Sequence, residues 1–233
     1  MSANSQVARN QSRQTFDSVY ESTNQLTTVA GERMVEWFTG NSLNTDRWNT
    51  SFSGSGGAVA MSNTVDGGLE LKSSTSGRTI IDFAPADPPT ARTFNADGFV
   101  QITVMKLTDV NYSLLDTGMR TNYYSEAGAN ISSQVQADLV AYGGEKFRLV
   151  SGGFTNVDTD QTGLYDWHTH KLESTDTTSS LTIDGILKAT AVGNASGTGY
   201  GDVLMPFVEC HNTEVTAPTN PYGYVHYMEC YNT

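Results

Sequence analysis

Residues 167–192 read WHTHKLESTDTTSSLTIDGILKATAV. The stretch parses as one strand, a linker and a tight hairpin, with Leu181-Thr182-Ile183 and Ile186-Leu187 as arms and Asp184-Gly185 as the corner. Asp-Gly between two apolar runs supplies the positive φ angles that a two-residue primed turn requires, and it is the strongest short-range hairpin signal a sequence carries. A chain organised around this stretch is mostly antiparallel β.

Working outward, the same texture recurs. Ala58 to Met61 and Leu69 to Lys72 are short strands around Asp66-Gly67-Gly68, and Thr79 to Phe83 follows. Pro85 to Pro89 forms a crossover, since proline cannot sit inside a central strand. Strands continue at Phe99 to Lys106, Ser113 to Arg120, Gln134 to Tyr142 and Lys146 to Val150, the last two joined by Gly143-Gly144. Val203 to Cys210 and Tyr222 to Tyr231 supply two aromatic-rich final strands. Only 16% of the 233 residues are charged and helix formers are scarce after Trp37, which suits short strands joined by turns. The expectation is an all-β, two-sheet antiparallel sandwich over residues 37–233, without internal repeats.

Residues 1–36 differ from the rest. They are rich in Gln, Ser, Asn and Arg, with scattered apolar positions that include Val7, Phe16, Val19 and Tyr20. Phe16, Val19 and Tyr20 fall at i, i+3, i+4, so this N-terminal arm is expected to be partly helical or extended, unstable alone, and held by the sandwich or by another subunit. Val7, Phe16, Val19 and Tyr20 are then its assembly anchor.

The formal charge of −12, with only 13 Lys and Arg, argues against nucleic acid as a partner, because phosphate binding depends on cationic side chains releasing counterions. The polar start MSANSQVARNQSRQ is no secretory signal, and no apolar run approaches the ~20 residues of a membrane span, so a protein made in a cytoplasm and independent of membranes is expected. Cys210 and Cys230 are too few for a disulfide framework. If their strands pair as a simple hairpin, Cys230 faces about Leu204, and Cys210 lies well beyond the ~7 Å bridging limit. Two free, partly buried thiols are expected.

Strand alternation separates the faces. Val135, Ala137, Leu139 and Ala141 form one face of their strand, with Gln134, Gln136, Asp138 and Tyr142 on the other. Phe147 and Leu149 mark the core side of the next strand, opposite Lys146 and Arg148, while Asp116 and Arg120 share a face of theirs. Asp116, Arg120, Gln136, Asp138, Tyr142 and Arg148 together are either an ordinary solvated sheet face or a polar ligand patch. His168 and His170, two apart on a strand, have the spacing to share a zinc ion. His211 and His226 lie far along the chain, and Leu172 continues the same face, so packed, hydrogen-bonded core histidines are the favoured reading. No Gly-x-Ser-x-Gly elbow marks a serine nucleophile.

Phe38-Thr39-Gly40-Asn41-Ser42-Leu43-Asn44-Thr45-Asp46-Arg47-Trp48, Gly68-Leu69-Glu70-Leu71, Trp167 to Glu173 and Ile183-Asp184-Gly185 together resemble the concanavalin A-like lectin/glucanase superfamily. The resemblance runs from Val35 to the end of the chain. It implies a two-sheet jelly roll whose concave sheet, in many members, holds a glycan, and it gives the polar patch above its glycan-binding reading. It also implies that the last strand pairs near the first. Retaining glucanases of the superfamily carry Glu-x-Asp-x-x-Glu on one strand, which sets two carboxylates about 5 Å apart. That motif is missing, as are the Arg-x-Glu and Gln-x-His strands of alginate lyases and the Glu-x-Asp metal strand of legume lectins. The expectation is therefore a non-enzyme without cofactor, with room for a structural calcium ion.

Two functional readings follow. One is a virion structural protein, such as a capsid decoration, turret or fibre component. It would be made in a host cytoplasm, displayed on the particle surface, anchored by the arm to other subunits and homo-oligomeric. The other is a carbohydrate-binding module for host or cell-surface glycans, with a polysaccharide hydrolase or lyase as a remote third.

Overall fold

The computed structural model describes residues 33–45, 47–54, 56–62, 68–73, 77–82, 94–95, 98–107, 113–120, 131–138, 146–151, 155–162, 165–192, 203–212 and 222–233. They form β1 (Arg33–Trp37), β2 (Asn49–Phe52), β3 (Ala58–Ser62), β4 (Gly68–Lys72), β5 (Arg78–Asp82), β6 (Phe94–Asn95), β7 (Gly98–Leu107) and β8 (Ser113–Arg120). There follow β9 (Ile131–Asp138), β10 (Lys146–Ser151), β11 (Thr155–Asp158), β12 (His168–Thr175), β13 (Thr178–Ile183), β14 (Ile186–Val192), β15 (Val203–Asn212) and β16 (Tyr222–Asn232). No helix occurs among the described residues, so none is long and apolar enough to cross a membrane.

The strands make two antiparallel sheets. The first runs β14-β13-β12-β7-β16-β4-β3, with β1 also paired to β16; the second runs β11-β10-β9-β8-β15-β5-β2, with β6 also paired to β15. The expected all-β sandwich is therefore present, with β1 beside the last strand: Arg33 pairs with Tyr231 and Trp37 with Tyr227. The Asp184-Gly185 corner is the primed turn that its sequence demands. Ile183 faces Ile186, with φ of 50° at Asp184 and 83° at Gly185.

Between the sheets lies an apolar core that includes Phe38, Trp48, Leu69, Leu71, Phe99, Leu115, Phe147, Leu172 and Met228. Burying each large side chain contributes about 1.5–3 kcal/mol. Gly223 of β16 lets the sheets approach, since a Cβ there would stand 2.4 Å from Leu115 Cδ1 of β8. A few polar groups inside the core bond across it: Gln101 Nε2 donates to Thr117 Oγ1 (3.0 Å), Thr117 Oγ1 donates to the Phe207 carbonyl (3.1 Å), and Ser151 Oγ donates to Ser179 Oγ (3.1 Å).

Three expectations are corrected. The linker after Glu173 is a turn of two residues, Asp176 and Thr177, so β12, β13 and β14 form a three-stranded meander. β15 and β16 do not pair as a hairpin but lie in opposite sheets, which voids the register placed on the cysteines. Cys210 and Cys230 form no disulfide, as expected, and are wholly buried in the shared core, not partly so. Burial pushes the Cys210 thiol up to about 12 and that of Cys230 well above its ordinary range.

Candidate functional site

Alternation assigns the faces of the second sheet. Phe147, Thr117, Ser151 and Cys210 point toward the first sheet. Arg148, Asp116 and Glu209, each next in sequence to one of these, therefore point away from it. Register then aligns a row across the outer face: Glu209 opposite Asp116, Asp116 opposite Gln136, Gln136 opposite Arg148, and Arg148 opposite Asp158.

The row is charged yet little exposed, with Glu209 at 3%, Asp116 at 6% and Arg148 at 7%. Buried charge needs partners. Arg148 Nε donates to Asp158 Oδ1 at 2.7 Å, and Lys146 Nζ donates to Asp158 Oδ2 at 2.5 Å. These bonds, Lys146 first and Arg148 second, hold the Asp158 carboxyl below the ordinary carboxylate range. At the other end, Arg78 Nε lies 3.3 Å from Glu209 Oε1. His211 pairs in register with Arg78; burial and then the neighbouring guanidinium push its imidazole down to about 4, leaving it neutral.

Ile80, opposite Glu209, and Phe207 and Val150, one row along, are buried on this same outer face. The face thus combines apolar carbons with carboxylate acceptors and guanidinium donors. Directly opposed residues on antiparallel strands hold their Cβ atoms about 4.5–5.5 Å apart, so Asp116 and Glu209 are a carboxylate pair.

Of the expected patch, Asp116 and Arg148 belong to the row, and Gln136 holds the register position between them. Asp138 sits two residues along, opposite Leu114 and Lys146. Arg120 pairs with Met205 and Ile131 beyond a register shift that follows Met119, and so falls outside the row. Tyr142 and the anchor residues Val7, Phe16, Val19 and Tyr20 lie outside the described residues. Glu209, Arg78 and Asp158 were missed. The alternation Val208-Glu209-Cys210 pointed Glu209 outward, but only the strand order brings it to Asp116.

The histidine pair packs inward as expected. His168 and His170 lie with ring centroids 5.6 and 4.4 Å from that of Phe147. Only His168 meets the expectation of hydrogen bonding, with Nδ1 2.5 Å from Asp184 Oδ2. Both ring nitrogens of His170 are buried without a hydrogen-bond partner. Among the described residues no three His, Cys, Asp or Glu side chains are grouped to hold a metal ion.

No protein-family model matches the chain, and no curated protein matches its sequence. Solved structures do match in fold. The Emp47p carbohydrate recognition domain aligns with a TM-score of 0.58 at 11% identity, over 86% of this chain and 94% of that one. The concanavalin A-like jelly roll is the shared architecture. Apo Crh5 transglycosylase aligns at 0.61 and 14% identity, over 88% and 85%. The Bacillus licheniformis β-glucanase aligns at 0.57 and 16%, over 88% and 100%.

These likenesses overturn the exclusion of enzymatic activity drawn from missing motifs. Transglycosylases and glucanases carry this jelly roll at 11–16% identity to the chain. At that distance a linear motif is no guide to which carboxylates the sheet assembles, as the Asp116–Glu209 pair illustrates. A shared fold at such identities establishes architecture and not activity, and a virion role gains no support from it.

Proposed function

We propose that this jelly roll binds carbohydrate on the outer face of its second sheet, along the row from Glu209 through Asp116 to Arg148. The observation that carries this reading is the row itself: the register-opposed carboxylates of Glu209 and Asp116 and the guanidinium of Arg148 on the outward side of the sheet, with Glu209 and Arg148 held by ion pairs to Arg78 and Asp158. A sugar presents the complementary pattern, hydroxyls around apolar C–H faces, and sites for such ligands pair apolar surface with a few placed polar groups. The likeness in fold to a carbohydrate recognition domain and to glycan-processing proteins supports the choice of ligand class.

A glycan array followed by calorimetric titration of the best ligand tests it. Glu209→Gln and Arg148→Gln should each weaken binding about tenfold or more, the effect of losing a charge-assisted hydrogen bond, with the melting transition recorded alongside to separate lost contacts from lost folding. Absence of any glycan ligand, or affinities unchanged in folded variants, overturns the reading. Reducing ends assayed in the same mixtures tell whether bound glycan is also cleaved.

A further inference from the structure

On the first sheet, the outward positions form a second, quite different surface. Tyr224 pairs with Lys106 and with Glu70, and the next row brings Trp37 opposite Tyr227 and Tyr227 opposite Val104. β16 carries a register shift between Val225 and Tyr227, which leaves His226 as an extra residue in the strand. Bulges of this kind re-aim a side chain, and here His226 meets two indoles. Its ring centroid lies 5.8 Å from that of Trp37 and 5.8 Å from that of Trp167, both edge-on. Lys106 Nζ stands 4.8 Å from the Trp167 centroid and 5.6 Å from that of Tyr224, and the Tyr224 hydroxyl donates to Glu70 at 2.7 Å.

Trp37, Trp167, His226, Tyr224 and Lys106 are all half-buried. Each of these residues keeps part of its surface toward solvent, while cationic and anionic tips alternate with the rings. None belongs to the row on the second sheet.

We infer that this aromatic surface is a second glycan-contact site, which stacks the apolar faces of pyranose rings of a neutral oligosaccharide on Trp167 and Trp37. Hydroxyls at the ring edges then meet Lys106, Glu70 and His226. Three properties select this ligand. Rings with polar tips suit a molecule that is apolar on its faces and polar at its rim. A sheet face is broad and open, which suits an extended chain of sugars better than a helix needing a groove. The net charge of −12 disfavours polyanions such as nucleic acid, whose bases would otherwise also stack. The choice of ligand class rests on the function proposed above, whereas the location does not.

The chain carries its own reporter. It has three tryptophans, and Trp48 is buried in the core at 1% exposure, so solvent-sensitive emission comes from Trp37 and Trp167. The experiment titrates cello-, laminari-, chito- and mannohexaose into the intact protein, reading tryptophan emission, and measures retention on the matching insoluble polysaccharides. At least one hexaose should shift the emission. Trp167→Ala should weaken its binding about tenfold, the loss of one stacking contact, with partial rescue by Trp167→Phe, and Glu209→Gln should leave the shift in place. A shift abolished by Glu209→Gln but kept in Trp37→Ala and Trp167→Ala overturns this inference and leaves the first site standing. Retention on the polysaccharide lost only in the tryptophan variants, with no effect of Glu209→Gln on any binding, upholds it and removes the first site. No emission change with any hexaose overturns it.

Discussion

His170 shows how far one buried side chain is set by its surroundings. It is 1% exposed, and burial, reinforced by the neighbouring His168, pushes its imidazole down from the ordinary 6.5 to about 3. Between those pH values the unfolded chain takes up a proton that the native chain refuses. The stability contribution is therefore complete above about pH 6.5 and is lost as pH falls toward 3. His170→Leu should flatten the dependence of the urea midpoint on pH across this window. It should cost little at pH 7, since it removes two buried nitrogens left without partners, groups that cost about 1–3 kcal/mol each. Part of the slope should remain, because His211 is shifted in the same direction. Parallel midpoint curves for variant and wild type would show the assignment to be wrong. The inward direction of His170 was legible from its parity with Leu172. Its lack of a hydrogen bond was not, because that depends on Phe147 arriving from the opposite sheet.

At the scale of the element, the Asp184-Gly185 turn was legible in full, since two adjacent residues fix its geometry. Gly185→Ala should lower stability by about 1–2 kcal/mol, the cost of a Cβ in the left-handed region; nothing crowds the position, so no steric cost adds to it. Asp184→Ala should cost a similar amount, chiefly for a different reason, with a smaller part from placing alanine at a φ of 50°. The carboxylate ties β12 at two points, accepting from the Thr169 amide through Oδ1 (2.9 Å) and bonding His168 Nδ1 through Oδ2. Chemical denaturation of the two single variants and the double checks this, and near-additive effects are expected if strain and bonding are separate. What escaped the sequence was either too short to carry a pattern or paired with a remote neighbour. β11 (Thr155–Asp158) is four residues long and is recognised only by its pairing with β10. The Asp116–Glu209 pair exists because β15 returns to lie beside β8 from some ninety residues further along the chain. Local pattern carries direction, and partnership requires the strand order.

For the whole molecule, the two thiols serve as probes of sheet separation. Cys210 points inward from the second sheet and Cys230 from the first, both at 0% exposure with thiols held protonated by burial. A thiol reagent such as DTNB should leave both untouched in the native protein and should label both together at the rate of global unfolding. Labelling of one thiol ahead of the other would reveal a sub-global opening. The two-sheet sandwich was legible because turn chemistry and alternation repeat along the chain. The opposed sheets of the cysteines were not, because a hairpin was the nearest local alternative. The same arrangement bears on how the molecule is made. β16 is the strand that joins β7 to β4 and β1, and β15 is the strand that joins β8 to β5. During vectorial synthesis β1, β4, β5, β7 and β8 therefore leave the ribosome with one partner still unmade. Neither sheet can close until residues 203–232 have emerged, so the parts of each sheet that β15 and β16 join present open β edges until that point.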